Sequence, residues 1–355
     1  MPNISLVMIV KDEEEHLNAC LDSAKNYVSE IVIVDTGSTD NTIEIARDYG
    51  AKVYEYTWTN DFAAARNFAL SKSMSDWNLI LDADERIMSW DKDKVNSLLQ
   101  GKHFIGKVNI KSNFLQNNEE RYSQIFVSRL LPKGIYYSGR IHEQAVSDLP
   151  RIDLPIDLFH AGYFQTDKSE RNLAILKEEL SKDPNNAYIL YQLARQYKTM
   201  NLYEETASFF RKSYQAADRS EGYFTDLTVN YIYTLTELKK YYPAFEIIDQ
   251  MNVPLGNSPD FQFVCGIFYL DFVLSDVAKN IDFLPLIERS YLICLALGEQ
   301  KEREIVVGTG SFLAAYNLGV YYEMCKQTEK AKHYYEFSAA YKYKPAEIRL
   351  LTLLS

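Results

Sequence analysis

Short apolar runs alternate with amphipathic stretches through residues 1–110. Ile4–Val10, Glu30–Asp35, Ala51–Tyr56 and Trp77–Leu81 are brief and rich in branched or aromatic residues, so each predicts a strand. Between them, Glu13–Tyr27 places Leu17, Leu21 and Ala24 at helical spacing. Thr39–Tyr49 follows a cap-like Ser38-Thr39-Asp40, and Asp61–Ser71 completes three predicted helices. Strand–helix alternation of this kind predicts a parallel sheet with helices on its faces. Ligands of such sheets bind at the carboxyl ends of the strands. Asp35 closes one predicted strand and Asp82-Ala83-Asp84 follows another, so these carboxylates are expected to face one crevice.

Residues 103–165 carry strand-like runs (FIGKVNI, SQIFVSRLL) and glycine turns, a β-rich completion of the first domain. From about Lys168 the texture changes. Long amphipathic segments rich in Tyr, Leu and Ala surround a helix break at Asp183-Pro184-Asn185-Asn186. Two domains are expected, residues 1–167 and 168–355. The second repeats weakly. Leu193, Ala194, Tyr197 and Phe210 fit positions of a tetratricopeptide repeat, with Thr206 where Ala is usual. Leu318, Gly319, Tyr322 and Ala331 fit a second unit, with Pro345 after it. A degenerate middle unit is expected around Tyr231–Ile248, and residues 256–308 read as helical only. The competing reading is an irregular helical bundle.

Composition narrows the function. Lys and Arg total 38 against 49 Asp and Glu, a formal charge of −11. That field repels phosphate backbones, and no local basic patch offsets it, so no nucleic-acid partner is expected. Cys20, Cys265, Cys294 and Cys325 lack any metal-binding or C-x-x-C spacing and read as buried thiols of a reducing compartment. The opening MPNISLVMIVKDEEE is too short in its apolar part for a membrane span. Acid follows where a signal peptide would be cleaved. A cytoplasmic protein without an integral membrane segment is expected.

The strongest chemical signal is Asp82-Ala83-Asp84 after the strand WNLIL. Two carboxylates two residues apart at a strand end suit Mg²⁺ or Mn²⁺ bridging to phosphate. An isolated D-x-D is as well read as a solvated turn; the context of Asp35 and its strand favours the site. No G-x-G-x-x-G and no P-loop occurs. A cation at Asp84 together with Arg66, in DFAAARNFAL, is left to neutralise a diphosphate.

Four segments in order, MIVKDEEEHLNACLDS, EIVIVDTGSTDNTIEIA, NDFAAARNFAL and DWNLILDADE, resemble the nucleotide-sugar half of a family 2 glycosyltransferase with the GT-A fold. YYSGRIHE, LFHAGY and KSERNLAILKEELSKDPNNAYILYQLARQY extend the likeness to about residue 215. They resemble the sublancin-type S-glycosyltransferase subgroup, in which this domain precedes tetratricopeptide-like helices. The resemblance implies an α/β, Rossmann-like GT-A domain and then an all-α helical domain that binds the acceptor or makes a homodimer. It implies a UDP-sugar donor, a divalent metal (Mn²⁺ or Mg²⁺) and a peptide or protein acceptor. Val10 and Glu13 then lie in the loop that approaches the nucleoside, Asp35 contacts the base, and Arg66 meets the diphosphate. Asp82 lies near the ribose, and Asp84 makes the closer metal contact. The chain departs from the family at Lys11 and Asp12, where an aromatic residue or Asn is common. It also lacks the E-D segment that many members keep as general base; Glu143, beside His142, is the substitute.

Two histidines keep two readings each. His160 completes the metal site with Asp82 and Asp84, or is a buried histidine at the domain junction. His142 holds Glu143 or the diphosphate, or caps a turn. Arg129 and Arg140 read as surface ion pairs, with contact to phosphate as the other reading, and Trp58 and Trp77 read as core. Two other functions compete. A nucleotidyltransferase wants a Gly-rich basic first loop, whereas Lys11–Glu15 is acidic. A non-catalytic binding module would not need Asp35, Arg66, Asp82 and Asp84 together. A saccharide or lipid-linked acceptor is the alternative to a peptide.

Overall fold

The computed structural model describes residues 2–101, 103–116, 119–160, 167–300 and 306–354. They fall into two compact units, Met1–Lys168 and Ser169–Ser355.

In the first unit β1 (Ile4–Val10), α1 (Leu17–Ala24), β2 (Glu30–Asp35), α2 (Thr42–Asp48), β3 (Lys52–Glu55), α3 (Phe62–Lys72) and β4 (Trp77–Ile80) alternate. β5 (Glu85–Trp90), α4 (Lys92–Leu99), β6 (Ile105–Gln116), β7 (Glu119–Pro132), β8 (Tyr136–Ser138), β9 (Gln144–Val146) and β10 (Arg151–His160) follow. One eight-stranded sheet has the order β3-β2-β1-β4-β7-β6-β10-β5, and β8 and β9 form a separate hairpin. The β3-β2-β1-β4 half is parallel. β7 then runs antiparallel to β4 and β6, and β10 is antiparallel to β5. This is the mixed α/β sheet that the GT-A resemblance implies.

Residues of the parallel strands are buried on both faces, which is why the strands read as unbroken apolar runs. Ile4, Leu6, Met8 and Val10 pack with Leu17, Leu21 and Ala24 of α1. Val7, Val32, Val34 and Ile80 pack on the other face with Ala63 and Ala69 of α3. Ladder register sets the functional edge. Val10 lies opposite Asp35 and Val7 opposite Ile80, so the ends of β2, β1 and β4 finish side by side.

Two helices are shorter than their periodicity, α2 by a few residues and α1 by more. α1 begins at Leu17 rather than Glu13 because the preceding backbone is bound elsewhere. The Glu13 N–H donates to Thr42 Oγ1 (2.7 Å) and the Glu14 N–H to Asp40 Oδ2 (3.1 Å). Asp12, at φ 52, accepts the Thr39 N–H at 2.7 Å, and Glu14 accepts the Asn41 N–H at 3.1 Å. The loops after β1 and β2 are thus zipped together. The acidic run Asp12–Glu15 supplies acceptors that local helix formation would have left outward.

The second unit is helical throughout its described residues: α5 (Asp167–Lys182), α6 (Ala187–Thr199), α7 (Tyr203–Ala216), α8 (Phe224–Glu237), α9 (Tyr241–Met251), α10 (Pro259–Ser275), α11 (Val277–Asn280), α12 (Leu284–Leu297), α13 (Phe312–Met324), α14 (Thr328–Ala339) and α15 (Lys344–Leu354). The repeat is clearest in the backbone. The turns α6–α7, α8–α9 and α13–α14 each have a left-handed middle residue, Asn201, Lys239 and Lys326 at φ 58, 56 and 58. In each, the next N–H bonds back to the helix: Leu202 to Tyr197 O, Lys240 to Leu235 O, Gln327 to Tyr322 O. That is one Schellman-type stop used three times. Thr206 fits a small-residue position because its hydroxyl donates to Leu202 O at 2.8 Å. No helix among the described residues is long and apolar enough to cross a membrane.

Small residues in this unit face rings. A Cβ on Gly319 would lie 2.6 Å from the Tyr335 ring, and one on Gly266 would lie 2.6 Å from Tyr291. Tyr335 is fully buried, and its hydroxyl is fixed on Glu323 Oε2 at 2.6 Å, so the ring cannot step back. Gly319→Ala should therefore cost about 1–2 kcal/mol, overpacking outweighing the helix propensity gained. A thermal melt against Gly222→Ala, where the added Cβ meets nothing within 4 Å, checks this. Equal melting temperatures would show that the pair has room.

Candidate active site

At the carboxyl edge of the parallel strands, five charged side chains form one chain of ion pairs. Arg66 comes from α3, whose start is capped by Asp61 accepting the Ala64 N–H. Its Nε donates to Glu143 Oε1, and its Nη2 donates to Asp82 Oδ1 at 2.7 Å. Arg129 Nη2, from β7, donates to Asp82 Oδ2 at 2.8 Å and to Glu85 Oε1 at 2.5 Å. The order is Glu143–Arg66–Asp82–Arg129–Glu85. Arg66 side-chain exposure is 8% and that of Glu85 is 4%, while Asp82 between the two arginines is 37% exposed.

Burial pushes the Asp82 carboxyl up, but the Arg66 and Arg129 guanidiniums overcome it and hold that carboxyl well below the usual range. Glu85 shifts the other way. Burial raises it, Arg129 opposes, and the charge on Asp82 adds to the rise. Both arginines stay protonated: burial disfavours their charge, and the facing carboxylates more than restore it. Cys20 lies behind this edge, its thiol against Asp82 O at 3.6 Å; burial, then Glu85, pushes that thiol up, so it is an inert core group.

Asp84 separates from this chain. Its Oδ2 lies 3.2 Å from His160 Nε2, at the end of β10. The contact with Asp84, against burial, raises the His160 pKa above the ordinary histidine value. Among the described residues no cluster of three or more His, Cys, Asp or Glu side chains is arranged for a cation. The expected trio is thus divided. Asp84 and His160 meet, while both Asp82 oxygens are taken by guanidinium. A carboxylate beside an imidazole is a donor pair that would hold a divalent cation. Residues 161–166, with the expected Ala161-Gly162-Tyr163, lie outside the described set.

Asp35 is buried on the same sheet edge. Its carboxylate accepts the Gly37 N–H at 2.9 Å and the Ser38 N–H at 3.0 Å, shaping the turn after β2. Glu13 is half-buried in the zipped loops. The Val10 side chain lies in the core, and its carbonyl accepts the Thr36 N–H at 2.9 Å. Any approach of Val10 to a nucleoside is therefore by backbone. His142 is exposed at φ 51, so the turn that aims Glu143 at Arg66 is left-handed at a non-glycine residue. Arg140 donates to Asn60 O at 3.2 Å, stitching this turn to the start of α3. Trp77 is buried against Phe104, and Trp58 packs edge-on to Phe62.

Arg129 corrects the sequence reading. Instead of a surface ion pair it is a buried bridge between two carboxylates. The missed signal is Glu85, an acid that opens a strand whose next inward residue is Ile87. A buried acid there requires a cation from another strand.

Residues 5–148 match the family model described as Glycosyl transferase family 2. A TPR repeat-containing protein of Synechococcus elongatus is 49% identical over 88 residues, 25% of this chain and 22% of its own length. The SPbeta prophage-derived glycosyltransferase SunS of Bacillus subtilis is 26% identical over 224 residues, 60% of this chain and 53% of its own. An uncharacterized glycosyltransferase of Rickettsia typhi is 32% identical over 122 residues, 34% of this chain and 36% of its own. The chain thus spans about half, or less, of the length of the curated relatives it matches. Strand order and the family match agree: residues 5–148 form a family 2 glycosyltransferase domain.

Proposed function

We propose that the chain is an inverting, metal-dependent glycosyltransferase that moves a hexose from a UDP-sugar to a peptide or protein acceptor. The observation that carries the reading is the meeting of Asp84 with His160 beside the Arg66–Asp82–Glu143 chain, at the carboxyl edge of a parallel sheet. Asp84 and His160 are the residues that would hold a divalent cation. Such a cation supplies charge neutralisation to a leaving diphosphate.

The protein's own part follows from charge. As the bond from the anomeric carbon to the diphosphate oxygen breaks, negative charge gathers on the leaving group. Arg66 is an anchored cation for that charge, and it needs no reorganisation because Asp82 and Glu143 hold it. Asp82, ionised at every working pH, accepts hydrogen bonds from sugar hydroxyls. Glu143 takes the acceptor's proton as the acceptor atom bonds to the anomeric carbon from the opposite face. One Glu143 oxygen is on Arg66, which ties the base to the arginine that meets the diphosphate. A cysteine acceptor would need less help, its reference pKa being about 8.5.

Support for a peptide or protein acceptor comes from the relative named glycosyltransferase SunS and from the helical unit, since helical solenoids bind extended segments. The helical half is assigned to acceptor capture, with homodimer formation as its other use. Wild-type chain with Mn²⁺ should release UDP from UDP-glucose or UDP-N-acetylglucosamine and add the mass of one residue of the matching sugar to an acceptor peptide. Glu143→Gln should keep UDP binding and lose at least about 10²-fold in transfer, the usual share of a general base. Full transfer by this variant would remove Glu143 from the mechanism.

A further inference from the structure

The segment that carries Asp84 is clamped at both ends by one residue. The Asp82 N–H donates to Glu85 Oε2 at 3.0 Å, and the Glu85 N–H donates back to Asp82 O at 3.0 Å. Glu85 is also the ladder partner of His160 across β5 and β10. Its side chain grips Asp82 while its backbone faces His160, so both donors of the proposed cation site are referred to Glu85. Glu85 is in turn fixed by Arg129, whose Nη2 bridges Glu85 and Asp82. Arg129 stands on β7 next to Leu130, which pairs with Leu79 of β4, so the clamp is anchored in the sheet. Its side chain is 11% exposed, and the same Nη2 is shared by the two carboxylates.

We propose that Arg129 and Glu85 are positioning residues: through the Asp82–Glu85 turn and the β5–β10 ladder they set Asp84 and His160 relative to each other for divalent-cation binding. The inference rests on the donor-site reading above and adds residues that touch neither donor nor cation. A merely structural pair would lower stability and leave cation affinity alone.

The test is calorimetric UDP binding to the full chain at increasing Mn²⁺, alongside thermal melts. Glu85→Gln keeps acceptor and size but drops the charge. It should raise the Mn²⁺ concentration for half-maximal UDP binding at least about threefold. Arg129→Met alone leaves Glu85 buried without its cation and can fail to fold. The double variant Arg129→Met with Glu85→Leu removes both charges together, which buried pairs tolerate. It should melt close to wild type yet shift the Mn²⁺ midpoint at least about tenfold, with Arg129→Lys between. Unchanged midpoints in the folded variants, or midpoints that only follow melting temperature, overturn the proposal. Wild-type chain that binds no UDP with Mn²⁺ overturns the donor reading, and this inference with it.

Discussion

Asp84→Ala should leave the fold standing and lower UDP release by about 10²–10³-fold, the usual cost of one group that stabilises a leaving anion. Asp84 is the residue on the D-A-D turn whose carboxylate is not bound to an arginine. Removing it leaves His160 as the lone protein donor of the pair, and a single imidazole is a poor site for a hard cation. The loss should exceed that of His160→Ala, because the carboxylate brings charge and the imidazole does not. A chelator should abolish wild-type activity and Mn²⁺ restore it. Wild-type turnover by Asp84→Ala in the presence of a chelator would leave the proposed chemistry without its cation site.

Asp82→Asn should instead be a stability variant as well as a weak enzyme. It takes from Arg66 and Arg129 the charge that both share. Breaking a fully buried ion pair costs about 3–5 kcal/mol. The Asp82 side chain is 37% exposed, however. Solvent screening brings the expected loss down to about 2–3 kcal/mol. Its pH dependence has a definite sign. A carboxyl depressed in the folded state contributes stability that is complete above its unfolded pKa of about 4 and is lost as pH falls towards the folded value. Glu85, raised by burial, acts oppositely: its charge costs stability near neutrality, and acid relieves that cost. Wild-type stability should rise as acid relieves Glu85 and drop only below about pH 4, whereas Asp82→Asn should start lower and drop less. Denaturant melts between pH 7 and 2 decide this. Parallel curves for the two proteins would mean that Asp82 is not the group whose protonation matters.

Much of the first unit was legible in its period. Parallel strands buried on both faces leave plain apolar runs, so β1, β2 and β4 and the edge where Asp35 and Asp82 stand could be read directly. What the chain does at α1 could not. Leu17, Leu21 and Ala24 mark the helix, but its start depends on Thr42 and Asp40, partners far along the sequence. Arg129 was hidden for the same reason. In the local run Ser128-Arg129-Leu130-Leu131 it alternates like any outward strand residue, and its burial arises from β7 lying beside β4. The division of Asp82 from Asp84 was equally invisible. Two residues of one motif face different neighbours because arginines from α3 and β7 claim the first. In the second unit, Leu193, Ala194 and Tyr197 betray the repeat, yet the left-handed residues of the α6–α7, α8–α9 and α13–α14 turns are Asn or Lys rather than glycine, so no composition cue marks them.

The zipped loops after β1 and β2 bear on how this end of the sheet can change. Asp12 does not act alone: its carboxylate takes the Thr39 N–H and hydroxyl, and its own N–H goes to Ser38. Transplanting residues 11–15 from a homologue would strand donors on 38–42, and the reverse graft would strand acceptors. The heritable unit is the pair of segments, so an engineer altering this edge must exchange both halves at once.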